Sequence, residues 1–377
     1  MRSDYEIIDT LSGLEAVARS LEKEKAVAVD LEADSMYHFR EKICLIQMAT
    51  KRKNLVVDPL RIKDLSPLKS LFLRQDIQKI FHGADYDIRS LYRDHEIEVN
   101  NLFDTELACR FIGIRETGLE AVLIKFFNIN LNKKYQKKDW SKRPLPQEMM
   151  DYAARDVKYL LPLYEMLKKE LDRKNRLSWV HEECACLSNV RPASSNDDPL
   201  FMKFKGAGRL RPSSLAVLEA VLQYRKRLAE EKNRPLFKVF GNAPVMKIAT
   251  ARPVTLQRLN ELKVLSQKQI DMYGKDLIET ASRALKLPES KLPVYPRKKA
   301  PVRSPEVPKR AKVLKEWRDK KAGKLDIDPA LVCNKAMITA IAVHNPRDIK
   351  RLDAVEDMKN WQKTAFGEEI IAVLQKN

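Results

Sequence analysis

Apolar residues along the first 190 positions recur with two different periods. Leu14, Val17, Ala18 and Leu21 keep a helical spacing and predict a helix over 13–23. Residues 26–31 form a short, β-branched apolar run that reads as a buried strand. Residues 43–49, 55–58, 79–81 and 101–104 read as further strands. The short segment between the first two strands predicts a hairpin. Residues 85–94 predict a helix with Ile88, Leu91 and Tyr92 on one face. Residues 146–174 predict one long helix, its stripe running from Met150 through Val157, Leu161 and Leu167 to Leu171. An early hairpin followed by strand–helix crossovers predicts an α/β domain with a mixed sheet.

Beyond residue 190 the pattern changes. Residues 191–199 are polar and bounded by prolines, which predicts a linker. The chain then turns helical and basic, and it repeats. Tyr224-Arg225 recurs as Trp317-Arg318, Ala249 as Ala342, Pro253 as Pro346, Leu259 as Leu352 and Gly274 as Gly367, all 93 positions apart. One constant offset marks a duplicated helical module. Residues 288–308 are basic and proline-rich, and predict an extended connector. The resulting division is an α/β domain at 1–190, a linker at 191–207, a helical module at 208–287, the connector at 288–308 and a second module at 309–377.

Charge sharpens this division. The 377 residues carry a formal net charge of +19. Residues 1–200 hold 33 basic and 33 acidic side chains, so residues 201–377, with 38 and 19, supply the whole excess. A basic half joined to a neutral half suits a polyanion held by one part and acted on by the other. No apolar run reaches the length of a membrane span, and the first residues lack the apolar core of a secretory signal. Five cysteines without framework spacing read as buried, reduced thiols in a cytoplasmic setting.

Three segments carry candidate chemistry. Asp30 and Glu32 are i and i+2 on a predicted strand, so both carboxylates share a face and repel unless a cation lies between them. Asp85 and Asp87 open a predicted helix after the His82-Gly83 turn; the competing reading makes Asp85 its N-cap and Asp87 a first-turn charge that suits the helix dipole. Tyr152 and Asp156 are i and i+4 on the long helix and flank its apolar stripe. Taking one acid from the Asp85/Asp87 pair, these are four carboxylates and a phenol, the donor set that two divalent ions, Mg²⁺ or Mn²⁺, need for phosphodiester hydrolysis. Lys138, Trp140 and Arg143 lie in a segment that interleaves basic and aromatic residues, a pattern suited to single-stranded nucleic acid, although Trp140 in a core is the competing reading. His82 is a further candidate contact, against a packed turn histidine. His181, Glu182, Glu183, Cys184 and Cys186 have metal-ligand types without zinc spacing and read as a helical surface.

In this order the three segments resemble the exonuclease motifs of the DEDD superfamily, in its tyrosine branch. Residues 43–47, 103–105, 139–145 and 152–161 resemble the ribonuclease D family, and both basic repeats resemble its helicase-and-ribonuclease-D C-terminal (HRDC) domain. The resemblance implies a ribonuclease H-like α/β exonuclease domain followed by two all-α HRDC domains. It implies 3′–5′ hydrolysis of RNA ends, releasing nucleoside 5′-monophosphates, with tRNA precursors as substrates and no obligate protein partner. Asp30, Glu32 and Asp156 would hold the ion that activates water. Asp87, selected over Asp85, would help hold a second, and Tyr152 would orient the nucleophile. Lys138 departs from the family's usual serine. A DNA exonuclease and a binding factor with an inactive nuclease fold are the rivals; the complete acid set weighs against the second.

Overall fold

The computed structural model describes residues 4–131, 133–192, 198–296 and 304–376. Residues 193–197 and 297–303 of the two expected linkers lie outside them. Six strands form one sheet: β1 Glu6–Ile8, β2 Ala26–Ala33, β3 Ile43–Ala49, β4 Asn54–Val57, β5 Gln78–Phe81 and β6 Leu102–Asp104. Their order is β1-β4-β3-β2-β5-β6. β2–β3 and β3–β4 pair antiparallel and the other pairs are parallel, so the sheet is mixed and the early hairpin is present. Among the described residues eight α-helices accompany it: α1 Leu11–Leu21, α2 Ser66–Leu73, α3 Asp85–His95, α4 Thr105–Ile112, α5 Leu119–Phe127, α6 Gln147–Lys158, α7 Leu160–Arg173 and α8 Leu177–Ser188.

The strand register separates two faces. Leu31, Ile46 and Val57 lie in register and join a core with Leu14, Val17 and Leu68 from α1 and α2. Asp30, Gln47 and Val56 lie in register on the other face, where Val56 packs with Met149, Met150 and Ala153 of α6. The helix expected over 146–174 is two helices, α6 and α7. Pro162 lacks the N–H that would bond the carbonyl four residues back, at Lys158, where α6 ends.

The chain forms two compact units, residues 1–33, 43–192 and 301–377 in one and 34–42 and 193–300 in the other. The second unit holds α9 Pro212–Glu231, α10 Leu236–Val239, α11 Asn242–Ala251, α12 Leu256–Glu261 and α13 Gln267–Leu285. Its described linker residues are not loose chain. Phe201 and Ala207 are buried in its core, and the Tyr295 hydroxyl donates to the Met202 carbonyl at 3.1 Å. Residues 34–42 also pack here: Asn233 Oδ1 accepts from the Phe39 N–H at 3.1 Å.

The second repeat comprises α14 Glu306–Leu325, α15 Pro329–Val332, α16 Lys335–His344 and α17 Asn360–Gln375. The duplication extends to individual hydrogen bonds. The Tyr224 hydroxyl donates to Asp276 at 3.0 Å, and Trp317 Nε1 donates to Glu369 at 3.0 Å. Arg225 donates to the Phe240 carbonyl at 3.1 Å, and Arg318 donates to that of Cys333 at 3.4 Å. Donors and acceptors alike keep the 93-residue offset.

This second repeat shares a core with the α/β domain rather than forming a free module. Trp361 stacks on Trp179 with ring centroids 4.6 Å apart. Glu182 accepts from the Asn360 and Trp361 N–H groups at 2.6 and 2.8 Å, so a carboxylate from α8 caps α17. Trp361 Nε1 donates to Glu183 at 2.9 Å. The Arg176 guanidinium ties the Phe111 and Leu325 carbonyls at 2.7 and 2.8 Å. Gly113 sits at φ 99°, and a Cβ there would collide with the Asp326 backbone oxygen.

Candidate active site

β2 delivers Asp30 and Glu32 to one face of the sheet, and α6 crosses that face carrying Tyr152 and Asp156. One carboxylate oxygen from each of Asp30, Glu32 and Asp156 lies within 4.8 Å of the other two, a group able to hold a metal ion. Asp87 stands outside this trio, buried on the first turn of α3 and close enough to raise the pKa of Glu32. Its neighbour Asp85 is exposed and ion-paired with Arg89 at 2.8 Å. The geometry therefore separates the two acids that helix-start chemistry left open.

The local fold explains Asp87's placement. Gly83 adopts φ 76°, which favours glycine. Asp104 accepts from the Gly83 and Ala84 N–H groups at 2.9 Å each, and from the Glu106 N–H at 2.8 Å. One carboxylate thus fixes the turn before α3 and caps α4. The sequence reading assigned Asp104 no such role; an aspartate directly before a helix was the available signal.

Four carboxylates crowded in a low-dielectric site disfavour full ionisation. Burial pushes Asp30 up to about 6. Burial, reinforced by the Asp30 charge, pushes Asp156 up to about 8. Glu32 is raised well above its usual value by burial and by Asp30, Asp156 and Asp87. Asp87 is raised by burial and then by Asp30 and Asp104. Tyr152 hydrogen-bonds Asp156, and burial with the neighbouring carboxylates keeps it a neutral phenol. The residues fit a divalent cation: hard oxygen donors from Asp30, Glu32 and Asp156 converge.

A cavity of about 420 Å³ opens beside these groups, lined by Asp30, His82, Lys133, Gln136, Tyr152 and Asp156. His82 Nδ1 lies 2.9 Å from the Thr105 hydroxyl, and burial lowers its pKa. Lys133 belongs to the basic segment that the sequence singles out, whereas Gln136 carried no signal there. Lys138 is exposed. Two expected contacts are corrected. Trp140 has no solvent exposure and packs with Met149 and Met150, so its ring is not free to stack on a base. Arg143 is bound to Asp58 at 2.6 and 2.8 Å and to the Cys44 carbonyl at 2.8 Å, so it braces the loop from within. Among the cysteines, Cys186 is exposed while the other four are buried.

Comparison with known proteins agrees with this geometry. Residues 5–172 match the 3′-5′ exonuclease family, and residues 214–280 and 308–374 each match the HRDC domain. Ribonuclease D of Desulfotalea psychrophila is 32% identical over 331 residues, spanning 87% of this chain and 88% of its own. The chain belongs to the ribonuclease D family. It is a 3′–5′ exoribonuclease of a family that depends on divalent metal. Ribonuclease D of Gluconacetobacter diazotrophicus is 29% identical over 98% of this chain and 93% of its own. The crystal structure of Escherichia coli RNase D shares the fold, with a TM-score of 0.73 and 24% identity over 100% of this chain and 99% of that one. No helix among the described residues is long and apolar enough to cross a membrane.

Proposed function

We propose that this enzyme trims the 3′ ends of tRNA precursors and other small RNAs in the cytoplasm, releasing nucleoside 5′-monophosphates with no obligate protein partner. The convergence of Asp30, Glu32 and Asp156 beside Tyr152 carries the reading. The E. coli relative is described as an exoribonuclease involved in structured RNA processing, which supports that substrate class.

Two divalent cations, Mg²⁺ or Mn²⁺, would supply an activated water and charge neutralisation at the leaving 3′-oxygen. Asp30, Glu32 and Asp156 would hold the cation on the water side. Asp30 would also face the second, with Asp87 assisting from α3. Tyr152, a neutral phenol bonded to Asp156, keeps an oxygen lone pair with which to orient the attacking water. His82 and Lys138 would contact the RNA strand, His82 at the cavity wall and Lys138 from the exposed loop. A site so acidic repels a phosphodiester, so grip on the RNA body falls to the basic repeats.

Purified Asp30→Asn and Asp156→Asn proteins test the assignment. Each should lose turnover of a 3′-tailed RNA and keep its affinity for that RNA in the presence of Mg²⁺. Normal turnover by either variant refutes these metal-holding roles. Parallel digestion of DNA of the same sequence separates the DNA reading.

A further inference from the structure

The central strand β3 carries a single polar side chain, Gln47, between Ile46 and Met48. Gln47 has no solvent exposure, and neither its Oε1 nor its Nε2 has a hydrogen-bond partner. A buried amide without partners is costly, and an apolar residue would fill the same space without that cost. Packing therefore gives no reason for glutamine at this position.

The register shows what lies within its reach. Gln47 stands opposite Asp30 on β2 and opposite Val56 on β4. Residues opposite one another share a face, so its amide projects from the face that bears the carboxylates. On its own strand the neighbours on that face are Leu45 and Ala49, both apolar. On the β4 side the diagonal neighbour Asn54 donates its Nδ2 to the Ala154 carbonyl at 2.8 Å, while its buried Oδ1 is, like the Gln47 amide, without a partner; that acceptor is neutral, whereas the carboxylates on the β2 side are the stronger acceptors once charged. On the β2 side the polar neighbours are Asp30 directly and Glu32 diagonally.

We propose that Gln47 is a positioning residue of the metal centre, its amide nitrogen donating to the Asp30 carboxylate when that group is charged and holds a cation. The proposal rests on the metal reading of the carboxylate trio. An amide suits the task because it supplies a donor without changing the charge of the site. A lysine would neutralise one ligand, and a fifth carboxylate would add repulsion. Fixing the rotamer of a ligand from behind is how such outer partners raise metal affinity.

Gln47→Leu and Gln47→Met test this in the full chain stripped with chelator. Both keep roughly the native volume and remove the donor. Calorimetric titration with Mn²⁺ gives the affinity, denaturation of the same samples gives the stability, and RNA turnover gives kcat and KM. Both variants should be at least as stable as the native protein without metal, because an unpaired buried amide is gone. Both should bind Mn²⁺ roughly 10-fold or more weakly, with kcat reduced and the KM for RNA held. Native-like Mn²⁺ affinity in either folded variant overturns the proposal. Failure of both to fold also overturns it, since Gln47 would then be a packing residue. A native protein that binds no Mn²⁺ would instead overturn the metal reading beneath it.

Discussion

Asp156→Asn should stabilise the metal-free protein at neutral pH while it destroys the enzyme. The Asp156 carboxyl titrates near 3.8 in an unfolded chain and is raised to about 8 in the fold, first by burial and then by the Asp30 charge. A raised acid favours folding below its unfolded value, where it is protonated in both states. That contribution is lost as pH rises through the folded value, because the unfolded chain releases its proton first. From about pH 4 to about pH 8 the loss is at most about 1.4 kcal/mol per pH unit from this one group, or roughly 5 kcal/mol in all. Sharing of protons with Asp30 reduces that figure. The amide of the variant has no proton to release. The assay is chemical denaturation in chelator at a series of pH values, on native and variant protein. The native stability should fall steeply across this window, and the variant's fall should be shallower by several kcal/mol. Saturating Mn²⁺ should remove the native decline, since a bound cation compensates the carboxylates. Parallel profiles for the two proteins would refute the reasoning, because Asp156 would then not be ionising against its neighbours.

Four further outcomes follow from particular contacts. Tyr152→Phe should lower kcat by roughly 10²-fold or more and leave calorimetric Mn²⁺ affinity unchanged; weakened Mn²⁺ binding would instead make the phenol part of the metal site. Asp87→Asn should abolish RNA turnover and Asp85→Asn should spare it, since Asp85 only pairs with Arg89 at the surface; steady-state rates decide. Trp361→Ala should cost about 3–5 kcal/mol in denaturation and make the C-terminal repeat susceptible to limited proteolysis; unchanged protection would mean the Trp179 stack does not hold it. Replacing exposed Lys312, Lys315 and Lys320 of α14 by Ala should weaken RNA binding and flatten the salt dependence by up to about 2 in log–log slope; an unchanged slope would place the RNA on another surface.

The lysine replacements take the place of a simpler truncation for a structural reason. The charge split suggests removing residues 201–377 to separate binding from catalysis. The structure shows that this cut would strip residues 304–376 from the core they share with α4 and α8, uncovering Trp179 and leaving Glu182 and Glu183 without their α17 partners. Loss of activity in such a protein would report unfolding as readily as lost RNA grip.

The proposed catalytic set was legible as a cluster because its members sit on strong local signals. Asp30 and Glu32 end a β-branched run, and Tyr152 and Asp156 keep helical spacing, so one face each could be read directly. Asp85 and Asp87 were not separable on local grounds, because both suit a helix start. The distinction lies in Arg89, one turn on, which claims Asp85, and in the burial of Asp87. β1 was missed because three residues, Glu6–Ile8, give no alternation to detect. The break between α6 and α7 was missed because the apolar stripe runs through it, although Pro162 marked the place. Trp140 and Arg143 were misread because a basic, aromatic segment looks the same whether its aromatic faces solvent or a core. Only tertiary neighbours, Met149 and Asp58 among them, decide. The docking of the second repeat left no local trace at all: Glu182 and Glu183 read as surface until α17 is placed against them.

The central claim is metal-dependent removal of nucleotides from an RNA 3′ end by the Asp30, Glu32, Asp87 and Asp156 set. The most direct measurement is digestion of a 5′-labelled RNA with a single-stranded 3′ tail by the purified full chain in Mg²⁺ or Mn²⁺. Parallel lanes hold chelator, a 3′-phosphate-blocked RNA and the Asp30→Asn protein. A ladder that shortens from the 3′ end and disappears with chelator and with Asp30→Asn is the result expected. Internal cleavage, shortening that persists in chelator, or full activity of Asp30→Asn would contradict the claim.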